Sequence, residues 1–314
     1  MMTKTKIKIV FAGTPEFAIK PLLKLCEACE VVAVLTQPDK PQGRKGILTP
    51  SPVKAEALKR GIPVFQPVKL KEDFSALAQL KADLMVTCAY GQILTQEILD
   101  LFPLGVWNIH ASLLPAYRGA APIPRVIIDG CEKTGVTIMK TDVGLDTGDM
   151  LLSGELPIEK ADTCGSLSEK LSVLGADLIV KALPLIESGN VTLKKQGEGF
   201  VCKKVARTAV DFSKRANDVS ALIRGLSPAP LSYAKIGDLV LNLYMAEAIS
   251  FCGDEPFGTV LTATPKEGLT VKCGEGAVRI LELQPAGGKR MSARDFCNGR
   301  KIEKGQRFEN ECLL

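Results

Sequence analysis

A single histidine, His110, decides much of the chemistry open to this chain of 314 residues. One imidazole cannot build a multi-histidine metal site, and the CxxC pair Cys26 and Cys29 offers two thiolates where a structural zinc takes four ligands. Asn108 lies two residues before His110 at the carboxyl end of a strand-like run, and the period-two geometry of a strand sends both side chains to one side. In an open α/β sheet that end is where ligands bind. A second polar segment, from Asp142 to Met150, carries Asp142, Asp146 and Asp149 with Gly144 and Gly148. It lacks the ligand spacing and terminal glutamate of a calcium-binding loop. Its glycines instead let the chain fold a carboxylate toward a neighbour. A carboxylate beside an imidazole favours the protonated ring and orients it, as general acid or base catalysis requires.

The elements that must position these residues are legible as alternation. Short β-rich runs at 7–11, 31–35, 64–65, 84–88 and 106–109, with a later pair at 136–139 and 150–152, are separated by helical patterns. That order predicts a parallel sheet with helices on both faces. Leu167, Leu171, Leu174, Ile179, Leu183 and Ile186 form an apolar stripe at helical spacing, ended by Gly189 and Asn190, and are expected to pack into the core. The first turn, Ala12-Gly13-Thr14-Pro15-Glu16, has one glycine where a dinucleotide-binding unit carries three, so no nicotinamide cofactor is expected. Thr14 reads as a helix cap with Pro15 at the first helical position, and Pro21 must kink or restart that helix.

After Gly189 the texture changes. Residues 191–208 are polar, basic and glycine-containing, as a linker would be. A short helix at 218–224 follows, then strand-like runs at 240–244, 258–261, 269–273 and 277–283, which predict a small β-barrel of roughly 100 residues. Residues 1–190 hold 21 Lys and Arg against 21 Asp and Glu, whereas residues 191–314 hold 19 against 14. The net charge of +5 thus belongs to the second part, which suits a polyanionic partner. The 46% hydrophobic and 24% charged composition is that of a soluble globular protein. No apolar run reaches the roughly 18–20 residues of a membrane span, and no signal peptide is read at the start; the expected location is the cytoplasm, away from membranes and with free thiols.

Four stretches then carry a resemblance: Asn-Ile-His at 108–110, Ser-Leu-Leu-Pro at 112–115, Arg-Gly-Ala-Ala-Pro-Ile at 118–123, and the loop Asp-Val-Gly-Leu-Asp-Thr-Gly-Asp at 142–149. On these the chain resembles the folate-dependent formyltransferases. Phe-Ala-Gly-Thr-Pro at 11–15, Gln-Pro-Asp-Lys-Pro-Gln-Gly-Arg at 37–44 and Ser-Pro-Val-Lys at 51–54 resemble the branch that acts on an aminoacyl-tRNA. The resemblance continues more weakly to the C-terminus through Leu-Gln-Pro-Ala-Gly-Gly-Lys at 283–289. It implies an α/β fold, a Rossmann-like parallel sheet domain followed by a small C-terminal OB-like β-barrel domain, with boundaries at 1–190, 191–208 as linker, and 209–314.

The same resemblance implies transfer of a formyl group from 10-formyltetrahydrofolate, as co-substrate and without a metal, to the α-amine of methionine on initiator tRNA. Asn108, His110 and Asp146 would be catalytic: Asn108 donating to the oxyanion, His110 stabilising that oxyanion or handling the proton, and Asp146 holding the tautomer of the imidazole. Ser112, Leu113, Leu114 and Pro115 would line the folate site. Lys40, Arg44 and Lys45, in a Pro- and Gly-rich loop, would contact tRNA, with Arg44 matching the family's important arginine. The alternatives are a formyltransferase for a sugar-nucleotide amine or a non-catalytic RNA-binding protein on the same scaffold. Nothing in the sequence sets the oligomeric state.

Overall fold

The computed structural model describes residues 7–42, 46–299 and 301–310, and divides the chain into two compact units. The first comprises residues up to Pro122 with Thr134–Leu156 and Ser168–Cys202; the second comprises Ile123–Lys133, Pro157–Leu167 and the residues from Lys203 onward.

The first unit is built on a seven-stranded sheet ordered Met150–Pro157, Lys133–Lys140, Val106–His110, Leu84–Cys88, Lys8–Gly13, Glu30–Leu35 and Val64–Phe65. The last five run parallel. Lys133–Lys140 is antiparallel to Val106–His110, a reversal that side-chain periodicity does not encode. The central strands are continuous apolar runs because both faces are covered: every residue of Leu84–Cys88 is buried. At the edge, Met150–Pro157 turns partly to solvent and its exposure alternates.

The apolar stripe forms the 24-residue helix Cys164–Glu187, with Leu167, Leu171, Ile179, Leu183 and Ile186 buried and Leu174 partly so. Pro21 acts by restart: a 3-10 turn at Glu16–Ala18 precedes the helix Ile19–Ala28, which places the proline in the first turn, where its missing N–H costs nothing. Thr14 does not cap that helix. Its hydroxyl donates to the Tyr90 carbonyl at 3.1 Å and accepts from the Gln37 amide at 3.3 Å, joining three loops at the carboxyl ends of the strands. The Pro- and Gly-rich stretch around Lys40, read as a loop, includes an antiparallel hairpin in which Lys40–Gln42 pairs with Ile47–Thr49.

Of the stretch read as a linker, the part up to Cys202 is bonded to the first unit. Lys194 exchanges both backbone hydrogen bonds with Met150 at 2.9 Å, and Val201–Cys202 pairs with Arg118–Gly119.

In the second unit the main sheet is ordered Thr208–Ala209, Ser232–Ile236, Leu239–Ile249, Ala277–Pro285, Gly268–Lys272 and Val260–Thr264, with Met291–Ser292 against Ala277–Pro285. All but the first pair are antiparallel. Residues 306–309 join the outer strand Val260–Thr264 to Ser232–Ile236 across the sheet: the Val260 amide donates to Gln306 and the Glu309 amide donates to Lys235, each at 2.8 Å. These bonds close the sheet into a barrel. Its core includes Phe212, Val260, Leu269, Ile280, Phe296 and Phe308, and the helix Ala216–Gly225 anchors to it through Ser220 Oγ, which donates to the Ala246 carbonyl at 2.8 Å.

Candidate active site

The strand Val106–His110 delivers Asn108 and His110 to its carboxyl end, and the loop 142–149 brings Asp146 between them. Asn108 Nδ2 donates to Asp146 Oδ1 at 3.3 Å, while His110 Nδ1 lies 3.6 Å from Asp146 Oδ2. One carboxylate thus faces both other members of the expected trio.

Neighbours set the orientation of each group. A carboxylate only accepts, so the end of the Asn108 amide that faces Asp146 is the NH2 group, and the Thr87 hydroxyl donates to the other end, Oδ1, at 3.0 Å. His110 is 5% exposed, and its Nε2 lies 2.9 Å from the carbonyl of Tyr117. A carbonyl only accepts, so Nε2 carries hydrogen. The tautomer of a neutral ring is therefore fixed by Tyr117, rather than by Asp146 as the resemblance implies, and Nδ1 is left facing the carboxylate. Asp146 Oδ2 also accepts the Gly119 amide at 2.8 Å.

The backbone around the trio is shaped for these contacts. Asp146 and Tyr117 have φ of +53° and +58°, a left-handed conformation that costs an L-residue about 1–2 kcal/mol and persists where surrounding bonds hold it. At Gly119, with φ +94°, a Cβ would come within 2.9 Å of the Cys202 carbonyl, so glycine is required there. Asp142 has a local role: it accepts the Gly144 amide at 3.0 Å and the Thr147 hydroxyl at 2.9 Å, bracing the turn before Asp146.

Ser112 to Pro115 follow directly after the strand. The Ser112 hydroxyl is fully buried and donates to the Ala116 carbonyl at 2.7 Å, and Thr137 ties the turn down by donating to the Ser112 carbonyl at 2.8 Å. Leu113 and Pro115 keep partial exposure.

Lys40 stands exposed at the start of the hairpin and is not among the trio's partners. Arg44 and Lys45 lie outside the described residues. The base of that hairpin is held by a polar cluster in which Lys54 Nζ donates to Asp39 Oδ2 at 2.7 Å and to Gln66 Oε1 at 2.6 Å, and Gln66 Nε2 donates to Asp39 Oδ1 at 2.8 Å. Hydrogen bonds from Lys54 and Gln66 hold the Asp39 carboxyl below its ordinary range. At the end of the neighbouring strand, burial pushes the Cys88 thiol far up and the Tyr90 hydroxyl up to about 12, so neither ionises near neutrality. Among the described residues no group of three or more His, Cys, Asp or Glu is placed to hold a metal ion. No described helix is long and apolar enough to cross a membrane, and no disulfide joins the cysteines among the described residues.

Sequence reasoning missed Thr87, Tyr117 and, above all, Gln196. Gln196 lies in the stretch read as a linker, yet its Nε2 donates to the carbonyls of Asp146 at 2.9 Å and Gly148 at 2.7 Å. A long neutral amide among lysines was the one available signal, and it is weak.

Comparison with known proteins places the chain in a family. The formyl transferase family model matches residues 6–183, and the model for the formyl transferase C-terminal domain matches residues 203–301. The methionyl-tRNA formyltransferase of Bacillus cytotoxicus is 42% identical over 309 residues, 96% of this chain and 98% of that protein. Its counterpart in Clostridium botulinum is 43% identical over 304 residues, 95% of this chain and 98% of that protein. Among solved structures, HypX from Aquifex aeolicus in complex with tetrahydrofolic acid matches 97% of the chain with a TM-score of 0.66 at 16% identity; the chain spans 51% of that protein. An N-formyltransferase from Helicobacter canadensis, solved with folinic acid and dTDP-3-aminofucose, matches 87% of this chain and 98% of its own with a TM-score of 0.64 at 20% identity. At those identities the structural likeness is one of fold. The family models and the full-length relatives show that the chain belongs to the formyl transferase family.

Proposed function

We propose that this chain transfers the formyl group of 10-formyltetrahydrofolate to the α-amine of methionine on initiator tRNA, for translation initiation in the cytoplasm. The observation that carries the reading is that Asn108 Nδ2 and His110 Nδ1 face the two oxygens of one carboxylate, Asp146, at 3.3 and 3.6 Å, at a strand's carboxyl end. Relatives 42% and 43% identical over nearly the whole chain support the choice of acceptor.

The residues present suit a folate. Val143 and Leu145 stand exposed in the loop of Asp146, and Ile93 in the loop after Leu84–Cys88, so a flat ring system laid there would cover apolar surface. From the turn at Ser112, Leu113, Leu114 and Pro115, Leu113 and backbone groups would meet it, because the Ser112 hydroxyl is already engaged.

When bound, 10-formyltetrahydrofolate supplies an electrophilic formyl carbon. Asn108 directs one amide hydrogen at Asp146 and has a second to donate to the formyl oxygen, where negative charge develops as the amine attacks. With hydrogen kept on Nε2 by Tyr117, Nδ1 is the ring nitrogen that can accept a proton. A proton released by the attacking amine is held between Nδ1 and Asp146 Oδ2; the bond from the formyl carbon to N10 of the folate then breaks, and N10 takes up that proton as tetrahydrofolate leaves. Residues 1–190 do this chemistry. Residues 209–314, joined through 191–208, grip the tRNA largely by phosphate contacts, with Lys40, Arg44 and Lys45 as further contacts to it.

The test offers the protein 10-formyltetrahydrofolate with charged initiator tRNA, glycinamide ribonucleotide or an amino sugar nucleotide. Formylation of the methionine amine is expected; formylation of another amine alone overturns the reading.

A further inference from the structure

We propose that Gln196 is a positioning residue for catalysis, acting through Asp146. The inference deepens the formyl-transfer reading and rests on it for its kinetic consequence.

Every polar atom of the Gln196 side chain has a partner that fixes its identity. Arg118 Nε donates to Oε1 at 2.9 Å, so that atom is the oxygen. Nε2 then directs its two hydrogens at two carbonyls, Asp146 at 2.9 Å and Gly148 at 2.7 Å. Rotating the amide by half a turn would set its NH2 against a guanidinium and its oxygen against both carbonyls. Arg118 is itself held by a second donation, from Nη2 to the Gly197 carbonyl at 3.0 Å.

The two carbonyls flank the turn that aims the Asp146 carboxylate. Asp146 is left-handed, and a Cβ at Gly148 would overlap the Lys140 carbonyl, so the turn has little conformational latitude on that side. Its other side is exposed at Val143 and Leu145. Gln196 is what bridges the carbonyls on either side of Thr147. Arg118 completes a loop of contacts, because the preceding carbonyl, Tyr117, accepts from His110 and the following amide, Gly119, donates to Asp146 Oδ2. One side chain thus links the carboxylate's turn to the turn that holds the imidazole.

Backbone pairing on both sides of Gln196 is independent of its side chain. Lys194 is bonded to Met150 on one side, and Val201–Cys202 to Arg118–Gly119 on the other. Removing the amide therefore loosens the aim of Asp146 without releasing the segment. Misplacement by about 1 Å at a reacting centre is worth up to roughly 100-fold in rate.

Two measurements test the proposal on Gln196→Ala and on the isosteric Gln196→Glu, which keeps the Arg118 contact and removes both donors. The first needs no substrate. The chain has one histidine, so the ring nitrogens of His110 give an unambiguous nitrogen-15 signal at fixed pH. Both variants should move the Nδ1 resonance toward its position in Asp146→Asn. The second is single-turnover formylation: the rate should fall about 10- to 100-fold with KM for folate and tRNA within about twofold. In an Asp146→Asn background Gln196→Ala should add no further loss, since the two act through one group. Unmoved resonances in both variants overturn the proposal, as does a loss that multiplies in the double variant. An unmodified protein that formylates no methionyl-tRNA overturns the functional reading instead, and the resonance still decides the role of Gln196.

Discussion

The two units use their polar side chains differently. In the first, hydrogen bonds between half-buried or buried groups converge on loops at one end of the sheet: Thr87 on Asn108, Gln196 on the Asp146 turn, and Lys54 with Gln66 and Asp39 beneath the hairpin. In the second, charged groups form exposed pairs on the barrel, such as Arg279 with Glu247 and Lys235 with Glu309 at 2.8 and 2.9 Å, and Arg290 with Glu282. Arg207 and Arg290 also lie over the rings of Tyr233 and Tyr244, 4.0 and 4.4 Å from the centroids. Directional bonds between buried or half-buried groups hold a side chain in one orientation. Exposed charges act additively and are screened by salt. Substitutions in the first region should therefore act on rate, and those in the second on affinity.

The sharpest way to break this contrast is at the trio. His110→Ala and Asn108→Ala should each lower single-turnover formylation by about two to four orders of magnitude, the range for losing an acid or base, or an oxyanion donor, while folate binding by titration stays near that of the parent. Near-parental rates in either variant would remove the assignment. A smaller effect, on the order of 10-fold or more in rate, is expected for Arg44→Ala, with tRNA affinity changed less than formylation. If a bidentate guanidinium contact is at work, Arg44→Lys recovers little of the loss.

On the barrel, Arg207→Ala and Arg290→Ala should leave the rate at saturating tRNA unchanged. If either side chain pairs with a phosphate, binding weakens a few-fold and the slope of log K against log salt drops by roughly 0.7 to 0.9 for each phosphate no longer neutralised. A fall in rate at saturation would erase the distinction between the units. The smallest effect concerns the cluster below the hairpin. Because the folded Asp39 carboxyl titrates below its ordinary value, its pairing contributes stability above the ordinary carboxylate range and loses it as pH falls through the folded pKa. Lys54→Met should thus melt below the parent at pH 7, and the gap should narrow below about pH 4. A gap constant with pH would show that the ion pair contributes nothing measurable.

How much of this was legible in the sequence depended on where the determining contact lies. The central strands are marked by short, mostly apolar runs, as at Leu84–Cys88, because burial on both faces favours apolar side chains. Asn108 and His110 were legible from their spacing of two, and Asp146 through the resemblance. Leu239–Ile249 extends well past the expected run at 240–244 because register shifts between Leu243 and Ala246 interrupt the alternation that marks a strand. The hairpin was hidden by Pro41, which sits in a short exposed strand opposite Leu48. Gln196 was hidden for a deeper reason: its partner is 50 residues away, and nothing local distinguishes an amide in solvent from one gripping two carbonyls. Thr14 misled in the opposite direction, since its hydroxyl serves a long-range bond where local grammar offered a cap.

The closure of the barrel by residues 306–309 has a consequence for synthesis. The first unit has all its segments once Cys202 has been made, whereas the second draws on segments from Ile123 onward and lacks its closing hydrogen bonds until Glu309 has emerged. During that interval Val260–Thr264 is an open edge, a template on which another nascent chain can pair. Contacts so distant along the chain form slowly. The step most exposed to misassembly is thus the last one, and the four residues that complete it act as the barrel's protection against aggregation.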